Sequence, residues 1–158
     1  PTGGPHRVQG TRHPDQRRAL VRDPSLIPGG VEEMLRVVSP VVAFARTARQ
    51  DVEIRGTTIA AGDYVVLLYP SANRDEEIWP DPDTFDVTRP EKRNVAFGFG
   101  PHVCLGAPLA RMEGKVIFEE LLARFPDFAL AGPPVRRAST LVAMYDALPV
   151  IFGESTPA

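Results

Sequence analysis

The chain has 158 residues, one cysteine and a net charge of −2. Charge so near balance, with arginines scattered along the chain, gives no basis for a nucleic-acid partner, and one cysteine excludes an intramolecular disulfide and fits a reducing compartment. No apolar run approaches the ~20 residues of a membrane span and no basic-then-apolar leader opens the sequence, so a cytoplasmic location without a membrane partner is expected.

An apolar content of 43% beside 24% charged residues suits one globular domain. Residues 1–11 have no period and several breakers, and are expected to be coil outside the domain. Residues 12–153 form the domain and 154–158 a tail. The pattern predicts a short helix over 13–22, with Pro14 tolerated in its first turn. A second helix is predicted over 31–38, stopped by Ser39-Pro40. Val52–Ile54 and Thr57–Ile59 flank Arg55-Gly56 and predict a hairpin, and 63–68 a further strand. Residues 70–96 read as mainly irregular. Prolines cluster at 80–90 and at Pro133-Pro134, yet apolar and aromatic residues are interleaved with them, so ordered irregular segments are expected rather than disorder. A long helix is predicted over 107–124. Ala110, Gly114, Ile117, Leu121 and Phe125 recur at spacings of three and four as its apolar face, with Arg111, Lys115 and Glu119 on another side. Residues 127–130 and 139–152 read as strands of a small sheet. There is no internal repeat. The expected class is α+β, mainly helical.

The string Phe97-Gly-Phe-Gly-Pro-His-Val-Cys104-Leu-Gly106 carries the most chemistry. A lone cysteine is most often a small buried hydrophobe. Here it stands in a glycine-rich turn directly before the long helix. A helix N-terminus presents unpaired N–H groups and partial positive charge, which favours a thiolate, the form that binds metals. Glycines let the backbone turn tightly and approach a ligand closely.

The whole string, followed by Ala107-Pro-Leu-Ala-Arg111, resembles the haem-binding loop of the cytochromes P-450 in its soluble bacterial form. In Val31-Glu-Glu-Met-Leu-Arg36, Glu33 and Arg36 match the family's Glu-x-x-Arg helix, and Phe85-Asp-Val-Thr-Arg89 matches its later arginine segment. By itself a Glu33/Arg36 pair three residues apart would be an exposed helical pair worth roughly 0.2–0.5 kcal/mol. The resemblance instead implies one buried network of Glu33, Arg36 and Arg89 behind the cysteine loop, for which arginine suits better than lysine. It implies haem b as cofactor with Cys104 as the axial ligand of its iron. Arg46 and His102 are implied as propionate contacts, Phe97 as the aromatic beside the thiolate, and Gly98 and Gly106 as the glycines of the cofactor loop. The stretches Ser71-Ala-Asn-Arg-Asp75 and 79–85 resemble the approach to the family's meander.

The function this resemblance implies is that of an O2-dependent monooxygenase part that hydroxylates a small organic substrate, with electrons from a ferredoxin-like donor. Residues 41–44 and 141–144 are expected to line edges of its pocket. The resemblance fades near residues 10–12. The family's central helix, with its acid–threonine pair, is missing: Thr57, Thr58 and Thr140 sit in strand-like contexts and Thr11 follows the coil. The chain is therefore expected to be the C-terminal, haem-thiolate part of such an enzyme. Each large apolar side chain left uncovered forfeits roughly 1.5–3 kcal/mol, so a haem-loaded monomer is not expected without a complementary distal half. The alternative is a non-catalytic haem-binding or interaction remnant. A zinc module is the weakest reading, since His6, His13, His102 and Cys104 do not cluster in sequence as zinc ligands do.

Overall fold

The computed structural model describes residues 13–90 and 93–153. The expectations for the coil at 1–11, the tail at 154–158, His6 and Thr11 lie outside the described residues. Helix α1 spans Pro14–Arg22 and opens with proline in its first turn. Asp23 then accepts the Ser25 N–H at 3.0 Å, and a 3-10 turn at Pro24–Leu26 leads directly into α2, Ile27–Val38.

Helix α2 begins four residues earlier than Val31. Pro28 is at home in a first turn. Gly30, inside the helix, serves packing. A Cβ on Gly30 would come within 3.1 Å of Leu20 Cδ2 and 3.6 Å of Val87 Cγ1, so glycine lets α1 and the later chain press against α2. Ser39 ends the helix in a left-handed conformation, φ 42°, donating its N–H to Leu35 at 2.8 Å.

Strand β1, Ala43–Thr47, pairs antiparallel with β4, Tyr64–Leu68, in register from Ala43↔Leu68 to Thr47↔Tyr64. Between them projects the expected hairpin of β2, Val52–Ile54, and β3, Thr57–Ile59. Its two turn residues both have positive φ, 48° at Arg55 and 77° at Gly56, which matches the right-handed twist of hairpin strands. Thr57 and Thr58 lie in β3 as expected. A single turn of helix, α3 at Tyr69–Ala72, precedes the irregular segment. After the 3-10 turn Gly100–His102 comes α4, Ala107–Arg124.

The C-terminal part departs from the expected single small sheet. Strand β5, Phe128–Leu130, pairs with β8, Val150–Phe152, while β6, Val135–Arg136, pairs with β7, Tyr145–Ala147. Leu148-Pro149 interrupts the run, because proline has no N–H to give a ladder. Thr140 falls in a bend, not a strand. The fold is thus α+β, with four separate two-stranded ladders among the described residues and more helix than strand.

The core joins α1, α2, the irregular chain at 85–87, α4 and β5: Leu20, Ile27, Val31, Val37, Phe85, Val87, Leu122 and Phe128. On α4 the packed face follows the expected stripe at Leu121, which packs on the core, but not at Ile117, which is exposed. Ala107 and Leu122 are buried, and Phe118 also packs on the core. Gly114 does face inward, where a Cβ would meet Val31 Cγ1 at 3.1 Å. Apolar residues surround this helix, so spacing alone does not select the face that meets α2.

Candidate functional site around Cys104

The cysteine loop is closed by its own backbone. The Cys104 N–H donates to Phe97 O at 2.8 Å, Gly98 N–H to Val95 O at 2.9 Å, and Val103 N–H to Gly100 O at 3.1 Å. Gly98 and Gly100 adopt φ 76° and 68°, conformations that side chains disfavour. Any Cβ on Gly98 would also stand 3.4 Å from His102 O and 3.5 Å from Tyr69 Oη. Cys104 is exposed, and a Cβ on Gly106 would touch its sulfur at 3.8 Å. Leu105 beside it is 98% exposed and Phe99 67%. One almost fully solvent-open apolar residue, Leu105, therefore adjoins the thiol.

Behind the loop lies a buried ionic network. Arg36, wholly buried, donates Nε and Nη2 to the two oxygens of Glu33 at 2.7 and 2.8 Å. Its remaining donors reach backbone carbonyls of Asn73, Pro82 and Thr84 at 2.9, 2.7 and 3.1 Å, and its guanidinium stands 5.2 Å from the Trp79 ring centroid. Arg89 donates Nε to Glu33 Oε1 at 3.3 Å and spends its other donors on Pro80, Asp81 and Thr84 carbonyls. Five donors in a planar fork make this possible. The Glu33, Arg36 and Arg89 side chains thus meet, and the pair is not the exposed helical pair that spacing alone allows.

Sequence reasoning missed the residues that connect this network to the loop. Asn73, 1% exposed, donates Nδ2 to Ser39 Oγ at 2.9 Å and accepts the Val95 N–H at 2.8 Å. Ser39 Oγ donates to Arg36 O at 2.8 Å. Asn73 stands inside the stretch 71–75, but no spacing rule marks an amide that works through backbone groups far along the chain. Glu32 and Arg111, the second pair, meet across α2 and α4.

Arg46 lies on β1 and is exposed, with Nη1 donating to Ala45 O at 2.8 Å. Alternation places it on the same strand face as Phe44. The Phe44 ring lies 6.1 Å from that of Tyr69, whose hydroxyl adjoins Gly98. The open face of β1 therefore borders the cysteine loop. His102 is exposed within the 3-10 turn. Val41 bridges Val142, which brings together the two segments expected at pocket edges.

Among the described residues no three His, Cys, Asp or Glu side chains gather around a common point. Cys104 is one soft donor. Zinc takes four ligands in structural sites, so this site does not fit it. A single exposed cysteine sulfur beside the open Leu105 fits a metal that carries its own planar ring of ligands, as haem iron does. Among the described residues no helix is long and apolar enough to cross a membrane.

Comparison with known proteins agrees with this geometry. The family model for cytochrome P450 matches residues 25–131. Cytochrome P450-terp of a Pseudomonas species is 46% identical over 142 residues, covering 90% of this chain and 33% of the relative. Steroid C26-monooxygenase of Mycolicibacterium smegmatis is 45% identical over 148 residues, covering 92% and 37%. The solved structure of the tirandamycin C-bound P450 monooxygenase TamI superposes with a TM-score of 0.86 at 48% identity, covering 92% of this chain and 37% of that one. The chain spans between 33% and 37% of the length of these relatives.

Proposed function

The chain belongs to the cytochrome P450 family, and from that premise we propose that it is the haem-binding part of an O2-dependent monooxygenase acting on a small organic substrate. The observation that carries this reading is the exposed Cys104 thiol on a loop closed at Phe97 and anchored from behind by the buried Glu33–Arg36–Arg89 network. Cys104 would hold the iron of haem b through its sulfur. Gly98 and Gly106 would let the backbone lie close to the cofactor, Phe97 would pack beside the sulfur, and Arg46 and His102 would hold the propionates. When bound, haem supplies O2 activation, favoured by electron density from the thiolate.

The protein's own contribution is positional. The backbone bond at Phe97 and the network behind the loop fix the sulfur. Leu109, Met112 and Val116 continue from Leu105 at spacings of four, three and four, all about half exposed. That spacing puts them on one face. A complementary distal half covers this stripe and roofs the substrate, and a ferredoxin-like protein in the cytoplasm supplies electrons.

A second reading is a non-catalytic haem-binding or interaction part. The separating experiment is a spectrum of the reduced, CO-treated protein, followed by assay of O2-dependent product with and without a distal half. A thiolate-type Soret band with product recovered on complementation supports the monooxygenase part. A band without recoverable product supports the second reading, and no band in any preparation rejects both.

A further inference from the structure

Glu32 adjoins Glu33 in sequence but serves different partners. Its carboxylate receives Nε of Arg111 and, at 3.2 Å, Nη2 of the same guanidinium. It also receives Asn94 Nδ2 at 2.9 Å. Asn94 in turn accepts the Ala96 N–H at 3.1 Å. The Arg111 guanidinium lies over the ring of Phe97, 4.8 Å from its centroid, and Phe97 O is the acceptor that closes the loop onto Cys104. One carboxylate on α2 thus holds the chain just before the cysteine loop and the helix just after it.

We propose that Glu32 and Arg111 are positioning residues that bracket the cysteine loop and fix Phe97, and through it the sulfur, in place. Three features favour this over a simple clip between helices. Contact of α2 with α4 is already made by Gly114 against Val31, where a Cβ would come to 3.1 Å. The other ion pairs of α4, Lys115–Glu119 and Arg124–Glu120, lie along its own surface. And Arg111 meets carboxylate and aromatic ring with the same planar group, which lysine cannot do. The consequence for a thiolate ligand rests on the haem-thiolate reading of Cys104; the bracket itself is tested without haem.

The first measurement is amide hydrogen exchange in the haem-free chain, which reads local opening. Arg111→Met and Glu32→Gln are expected to speed exchange of the Cys104 and Ala96 amides about tenfold, the scale of a lost hydrogen bond to a charged group. The Ala131 amide, bonded to Pro149 in the distant C-terminal region, should be unmoved, as should every amide in the control Lys115→Gln. Arg111→Lys keeps the charge and should resemble Arg111→Met rather than the parent. The second measurement, in haem-loaded protein completed by its distal half, is the decay of the ferrous–CO thiolate band, expected to quicken about tenfold in the same variants. Unchanged Cys104 exchange, or equal acceleration at Ala131, overturns the proposal. Failure of both Arg111→Lys and Glu32→Gln to fold also overturns it, since the pair would then be a general support. If the parent never shows a thiolate band while Cys104 exchange responds, the haem reading fails and the bracket stands.

Discussion

Asn73 Oδ1 accepts the backbone N–H of Val95 at 2.8 Å, while the carbonyl of Asn73 accepts Arg36 Nη1 at 2.9 Å. One buried residue thereby couples the arginine network to the chain that leads into Cys104. Asn73→Ala would leave the Val95 N–H without its present partner, while Ser39 Oγ would keep its bond to Arg36 O. A buried group so stranded costs about 1–3 kcal/mol. The variant should melt lower than the parent by that margin, measured by thermal or urea unfolding. A melting curve superimposable on the parent's would show that water replaces the amide without penalty.

Glu33→Ala removes the common acid of Arg36 and Arg89. Arg36 is then a buried cation with no counter-charge, and breaking a buried pair from one side costs about 3–5 kcal/mol. That is a large share of the ~5–15 kcal/mol that holds a typical domain together. Loss of soluble folded protein is the expected outcome, judged by yield and far-ultraviolet dichroism. Normal yield and stability would contradict the network's role.

Cys104→Ser should act in the opposite way. The thiol is exposed, and surface substitutions stay within about 0.5 kcal/mol. The unfolding curve should be unchanged while the red-shifted Soret band of the ferrous–CO thiolate complex disappears. Persistence of that band would remove Cys104 as ligand.

Gly98→Ala and Gly56→Ala form a matched pair. Both glycines have nearly the same φ, 76° and 77°, but a Cβ at 56 meets nothing within 4 Å while one at 98 meets His102 O at 3.4 Å and Tyr69 Oη at 3.5 Å. The left-handed conformation alone costs about 1–2 kcal/mol. Gly56→Ala should show that loss and nothing else. Gly98→Ala should lose at least as much and also weaken haem uptake, followed by Soret titration. Equal haem uptake by the two variants would mean that the loop yields freely.

Residues 1–158 alone, supplied with haem, an electron donor and O2, should give no coupled hydroxylation. Leu105 is 98% exposed and Cys104 is open to solvent, so nothing among the described residues excludes water from this face. Electrons should leave as superoxide or peroxide, and product should appear once a distal half is added. Product formed by the isolated chain with little peroxide released would refute this expectation.

Sequence marks most plainly what is local along the chain. Cys104 and its glycines lie within ten consecutive residues, and the Glu33–Arg36 spacing fits one turn of helix. Arg55-Gly56 announced its hairpin because the turn needs positive φ at both positions. By contrast the second helix was expected to begin only at Val31, and Gly30 proved to be a close-packing position inside it, for which the reason, Leu20, lies one helix away. Ile117 and Phe118 are adjacent and both apolar, and only the position of α2 decides which is covered. Asn73, Asn94 and Glu32 act through partners tens of residues distant, which local pattern does not encode.

The two network arginines grip residues 80–84 by carbonyl oxygens: Pro80, Asp81, Pro82 and Thr84. Proline lacks a donor but keeps its acceptor, so a proline-rich segment loses nothing that these guanidinium groups require. Nor do these contacts read any side chain along 80–84. What Arg36 and Arg89 prescribe is a path for the backbone, and many different sequences can follow it. Order without a ladder or a helix is supplied here from outside the segment, by two cations that act as its missing secondary structure.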